Sequence, residues 1–384
     1  MNRVLLIDTN LSSSPIYDYL ISKGYEVYVV GGNPSDYLAK KAGNYINVDY
    51  SKIYLIRELI ADLHINFIVP GCNDLSYLIS AQLNEDIGFF GIESLKNTQI
   101  INNKEEFREF ANEIGLPVPK TYSRESVGNN WPLIVKPVDA FSGRGVTVVH
   151  ESERNNLDEY INYAKSFSKL EKYIIEEYVE GQLYSHSAFI AQGKITTDFI
   201  VEEHGTANPF VVDTSKVDYN FPEDMLSHIR HSIEAMAAKL ALVDGLIHTQ
   251  FIKKGHEYWL IEVTRRCPGD LYSQLIEFST SFNYVESYVL PFINQTSPLT
   301  NYQNKKSLVM RHTISQPVDG FFESIKFNRA VNIEKLFPMS LAGDYVKASP
   351  FGRIGILFIK ENSQESFDDC YSNTLKRTLY QIHH

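Results

Sequence analysis

Over the first ~100 residues, strand-like apolar runs alternate with polar helical stretches, a pattern that points to a parallel α/β sheet. "RVLLID" at residues 3–8 reads as a buried strand. "SSSPIYDYLISKG" then offers Ser14 as N-cap, Pro15 at the first helical position and Gly24 as the stop. "YEVYVVGG" is a second strand, "SKIYLIRELIADL" a second helix and "INFIVPG" a third strand. Such a unit binds ligands at the carboxyl ends of its strands. Its first strand-to-helix turn, "DTNLSSSP", contains no glycine, whereas a dinucleotide fingerprint needs glycines there so that backbone can approach a pyrophosphate. NAD and FAD are therefore excluded as the expected ligands.

A chain of 384 residues is too long for one ordinary core and fits two or three domains. With 43% hydrophobic and 22% charged residues it has a globular composition. The 36 basic and 47 acidic residues give a net charge of −11, with basic residues clustered no further than pairs. That balance argues against nucleic acid and anionic membranes as partners and favours a small ligand. Cys72, Cys267 and Cys370 show no metal or redox spacing, as expected of reduced thiols in a cytoplasmic protein. The opening "MNRVLLIDTN" reads as a strand rather than a signal peptide, and no apolar run approaches the ~20 residues of a membrane helix.

A polar helix starting near Asn103 and ended by Gly115 opens a second region, where short strands and glycine turns mix with helices. The strongest helical period covers 224–242, with Leu226, Ile229, Ile233, Ala237 and Leu240 on one face and the end at Asp244-Gly245. "LIHTQFIKK" and "EYWLIEVTRR" read as a hairpin turning at Gly255. Its alternation puts His248 and Gln250 on one face and brings Gln250 towards Glu262, which shares a face with Thr264. A linker at "TNYQNKKS" leads into a last β-rich piece closed by a helix.

The strongest local motif is "VKPVDAFSGRGVTVV", a strand carrying Lys136, then a loop with Ser142, Gly143, Arg144 and Gly145, then another strand. Free N–H groups in the glycine loop, a hydroxyl and a point charge suit polyphosphate. A hairpin turn with a solvated lysine fits the same residues. The motif is not a Walker A loop, because the lysine precedes the glycines and no helix follows. "IIEEYVEG" and "NNKEEF" read alone as a strand end with solvated glutamates and a solvated helix lysine.

Taken in order and interval, these pieces resemble the ATP-grasp superfamily, in the branch of biotin carboxylase, carbamoyl-phosphate synthetase and L-amino acid ligases. The resemblance implies an N-terminal parallel α/β domain (1–102), a two-lobed α+β ATP-grasp domain (103–298, lid about 117–180) and a small C-terminal α+β subdomain (299–384). It implies that Lys104 and Lys136 reach the ATP phosphates, that Ser142 to Gly145 form the lid loop, and that Glu176, Glu177, Tyr178 and Val179 form the adenine hinge. Glu262, Gln250 and Thr264 fall on the metal positions, and Arg266, Arg265, Gly269 and Asp270 on the catalytic "RRCPGD" turn. Asn73, Asp74 and His248 take substrate-facing positions. The cofactors implied are ATP and Mg²⁺, with Mn²⁺ as a substitute, and relatives of this architecture often form homodimers.

This sequence departs from the pattern where Gln250 replaces an acid, Thr264 an asparagine and Leu183 an acid for the ribose, for which Glu180 could stand in. Neutral oxygens hold Mg²⁺ more weakly than carboxylate does. The reading that follows is a cytoplasmic ATP-dependent ligase joining a small-molecule carboxylate to an amine through an acyl phosphate. A bicarbonate-using carboxylase and a noncatalytic ATP-binding sensor are the alternatives.

Overall fold

The computed structural model describes residues 2–140, 143–296 and 305–383. Strands β1 (Arg3–Ile7), β2 (Glu26–Gly31), β3 (Tyr45–Asn47) and β4 (Phe67–Pro70) form a sheet in the order β3-β2-β1-β4. Every pairing in it is parallel, as the alternation requires. Val4, Leu5, Leu6 and Ile7 of β1 have no exposed surface, which a strand covered on both faces demands. The first helix runs Ser14–Ser22, so its N-cap is Ser13 and not the expected Ser14. The Ser13 hydroxyl makes no capping bond because it donates to Asp8 Oδ2 at 2.6 Å. At the carboxyl end of β4, Asn73 caps the helix Asp74–Ile87 by accepting from the Ser76 amide at 2.9 Å.

Within 117–180, the stretch expected to form the lid, β5 (Thr121–Tyr122), β6 (Leu133–Pro137), β7 (Thr147–Val149) and β8 (Tyr173–Glu177) make a four-stranded antiparallel sheet ordered β5-β8-β6-β7. Leu157, Ile161 and Ala164 of the helix Leu157–Ser166 share its core with Leu133, Val135 and Ile175. The loop from β6 to β7 needs its glycines. Gly143 and Gly145 have φ of +66° and +70°, and a Cβ on Gly143 would lie 2.9 Å from Phe210.

Strands β9 (Gln182–Ala191), β10 (Lys194–His204), β11 (Thr214–Val217), β12 (Gly245–Lys254), β13 (Glu257–Thr264) and β14 (Leu308–Ile314) build the large sheet in the order β13-β12-β9-β10-β11-β14. Strands Gly355–Glu361 and Ile333–Pro338 continue it, so the last β-rich piece extends the same sheet. The linker positions 297–304, with the expected boundary at 298/299, lie outside the described residues.

The long helix is Glu223–Leu240 and buries Ile229, Ile233 and Ala237 as its period predicts. Leu226 and Leu240 lie at the stripe's margin, half-buried, while Met225 and Met236 fill the core. The helix stops at Ala241 in the left-handed region, with Leu242 N donating to Ala237 O at 3.0 Å, rather than at Asp244-Gly245. Among the described residues no helix is long and apolar enough to cross a membrane.

Candidate functional site

Lys104 is the first residue of the helix Lys104–Glu113 and connects the β6–β7 loop with β13. Its Nζ donates to Ala140 O in the lid loop at 3.1 Å and stands 3.9 Å from Glu262 Oε1 on β13. Lys136 on β6 pairs with Glu176 Oε2 on β8 at 2.5 Å, and Glu176 Oε1 accepts from Arg108 Nε at 2.7 Å. Arg108 also donates to Ile261 O at 2.7 Å, tying the triad to the hairpin. All three groups are buried, with two basic side chains on one acid, and burial above all pushes the Lys136 pKa down against the pull of Glu176. Burial pushes the Glu176 carboxyl up, but the charges of Lys136 and Arg108 outweigh it and hold the group below its ordinary value.

The Glu176 side chain thus points into the lid, an inward role the hinge reading did not foresee. Glu177 accepts from the Lys120 amide at 3.0 Å, Tyr178 N donates to Pro132 O at 3.1 Å, and Val179 is half-buried just past the strand. In the lid loop Gly143 and Gly145 approach Phe210 and Phe167, Arg144 is exposed, and Ser142 lies outside the described residues.

On the hairpin, Gln250 pairs across from Glu262, followed at once by a bulge. The Gln250 amide nitrogen donates to Glu203 Oε2 on β10 at 2.8 Å, and the Glu262 side chain is 41% exposed. The Thr264 hydroxyl, expected at a metal position, has its bonds elsewhere. That hydroxyl donates to Asp74 Oδ1 at 3.4 Å and accepts from the Arg266 amide at 3.3 Å.

The two arginines separate, since neighbours on an extended chain point to opposite sides. Arg266 makes a two-pronged pair with Asp74, Nε to Oδ1 at 2.8 Å and Nη2 to Oδ2 at 3.1 Å. Burial pushes the Asp74 carboxyl up, but the Arg266 charge prevails and keeps it below its ordinary value. Arg265 turns away, fully buried, to Glu93 Oε1 at 3.3 Å and Val243 O at 2.5 Å. Its guanidinium is thus held in a buried ion pair, apart from Arg266.

Past Gly269, Asp270 has φ +55° and lies between Arg311, 3.6 Å away, and Arg353. His248 is buried, 3.4 Å from Ser187 Oγ and edge-on to Tyr272. Burial first, then the charges of Arg266 and His186, press its pKa down to about 3, so the ring is neutral. Asn73 contributes as a helix cap, with Tyr50 OH at 3.4 Å from its Oδ1.

Sequence reasoning missed Arg108, Glu203, Arg311 and Arg353. Only Arg108 left a usable trace, since it falls with Lys104, Phe107 and Ala111 on one helical face that is otherwise apolar. Among the described residues no three His, Cys, Asp or Glu side chains cluster as a metal cage. One exposed carboxylate opposite one amide carbonyl is a donor set that fits a hard cation bringing phosphates and waters with it.

The family model for the ATP-grasp domain matches residues 129–274. The carbamoyl phosphate synthase large chain of Vibrio vulnificus (strain CMCP6) is 26% identical over 175 residues, 43% of this chain and 16% of that one. The L-amino acid ligase of Bacillus licheniformis superposes with a TM-score of 0.80 at 16% identity, covering 100% of this chain and 99% of that one. The phosphoribosylglycinamide synthetase of Anaerococcus prevotii gives a TM-score of 0.76 at 16% identity, covering 100% of this chain and 99% of its own. At that identity the two structures establish a shared fold. Residues 129–274 thus match the ATP-grasp domain, and the whole chain shares the fold of these two structures.

Proposed function

We propose that the protein is an ATP-dependent carboxylate–amine ligase of the amino-acid or peptide type, acting on small molecules. In this reading a substrate carboxylate takes the γ-phosphoryl group of ATP to give an acyl phosphate and ADP. An amine then attacks the acyl carbon, an amide forms and phosphate leaves with one carboxylate oxygen. The observation that carries the reading is Lys104, which joins the lid loop at Ala140 to Glu262 on the sheet and so marks a cleft between the two lobes.

Lys104 and the Lys136–Glu176–Arg108 triad would bind and orient the polyphosphate. Glu262 and the Gln250 carbonyl would hold Mg²⁺, which when bound neutralises phosphate charge. Arg266, fixed by Asp74, would face the acyl group, and Asp270 between Arg311 and Arg353 would border the substrate. Positioning and electrostatics do most of the work in such chemistry. A noncatalytic ATP sensor is the second reading, favoured by the neutral Gln250 and by the engagement of Thr264 with Asp74. We place the protein in the cytoplasm, in keeping with its free cysteines.

The test is Mg²⁺-dependent release of ADP and phosphate from ATP with pooled amino acids and small carboxylates, with and without amines. Release that needs both an acid and an amine supports the ligase. Release with bicarbonate and no amine replaces it with a carboxylase, and binding of ATP without release replaces it with the sensor.

A further inference from the structure

Glu203 on β10 is a buried carboxylate that belongs to no family motif quoted above, and its partners define what it does. Its Oε2 accepts from the Gln250 amide nitrogen at 2.8 Å and its Oε1 from Ser185 Oγ at 3.0 Å, which in turn lies 3.0 Å from Tyr272 OH. Only 4% of the residue is exposed. In this pairing the NH₂ end of Gln250 faces Glu203, which turns the carbonyl end away from β10. The strand order β13-β12-β9-β10 puts Glu262 on the far side of Gln250, three strand spacings or roughly 14 Å of backbone from Glu203. Glu203 is thus too far to share an ion with Glu262 directly, yet it fixes which end of Gln250 faces that carboxylate.

We infer that Glu203 is a positioning residue, holding Gln250 so that its carbonyl oxygen and Glu262 together form the divalent-cation site. The inference rests on the ligase reading of this cleft and adds a residue to it. It also accounts physically for a neutral side chain at position 250. An amide is ambiguous between its two ends, and a neighbouring acid removes the ambiguity. The Ser185–Tyr272 chain continues from Glu203 to the helix that follows Asp270, so the cation site and the "PGD" turn are braced by one hydrogen-bonded row.

The experiment is Mn²⁺ titration of the full chain with ADP present, followed by electron paramagnetic resonance, beside melting of each variant without ligand. Glu203→Gln can pair with Gln250 in either sense, so Mn²⁺ affinity should fall about tenfold or more while metal-free ADP binding and melting hold. Gln250→Ala should fall similarly, and Glu203→Gln with Gln250→Ala should be no worse than Gln250→Ala alone, because Glu203 acts through Gln250. The exchange Glu203→Gln with Gln250→Glu should recover affinity and serves where the single variant fails to fold. Unchanged Mn²⁺ affinity in folded Glu203→Gln, or additive losses in the double variant, overturns the inference alone. A wild-type chain that takes up no Mn²⁺ with ADP overturns the ligase reading with it.

Discussion

Truncating Glu176 would leave two buried cations, Lys136 and Arg108, without their shared anion. Glu176→Ala should therefore cost about 3–5 kcal/mol in urea unfolding, and a loss under about 1 kcal/mol would contradict the triad as described. Lys136→Ala is the opposite case, because Glu176 keeps Arg108 at 2.7 Å. It should fold while ATP turnover drops at least about a hundredfold, and near-normal turnover would remove Lys136 from the phosphate site. His248, its pKa pressed to about 3 by burial above all, should stay neutral from pH 5 to 8 in ¹⁵N NMR. Since the unfolded ring binds a proton near its ordinary 6.5, this histidine makes stability fall as pH drops from 6.5 towards 3. A ring titrating near 6.5 in the folded protein would show that the buried setting is wrong. At this scale the Gln250–Glu262 pair was legible because hairpin alternation fixes it. Glu203 was not, and Arg108 showed only as a basic residue on an apolar helix face, since their partners lie 47 and 68 residues away and only the assembled sheets bring them near.

Among the elements, the parallel strands, the β12–β13 hairpin and the long helix follow from pattern alone. The helix ends did not. Ser13 gives its hydroxyl to Asp8, and the Glu223–Leu240 helix closes on Ala241, both set by local hydrogen bonds that periodicity does not carry. The lid loop was readable from its glycines, and the structure adds the reason for one of them. At φ +66° and against Phe210, a methyl group at position 143 must push the loop outward. Gly143→Ala should raise the KM for ATP several-fold with little change in melting temperature. An unchanged KM would mean that the loop does not close over the nucleotide.

Across the molecule, the parallel domain and the large sheet are tied together by Arg266–Asp74 and by Arg265–Glu93, the first facing the cleft and the second buried behind it. Two adjacent arginines with opposite directions thus divide the work of site and scaffold. From sequence they looked alike, because a strand end does not reveal which side becomes interior. The continuity of the tail with the large sheet was equally hidden. It depends on β11 pairing with β14, whose matched residues Ser215 and Arg311 are 96 positions apart, and long-range pairing leaves no local signature. The central claim, that this cleft activates a carboxylate with ATP for attack by an amine, is tested most directly by isotope transfer. The turnover screen would supply the acid, which would then be labelled with ¹⁸O in its carboxylate and followed into the released phosphate by mass spectrometry. One ¹⁸O per phosphate is the predicted result, and unlabelled phosphate during amide formation would contradict the account.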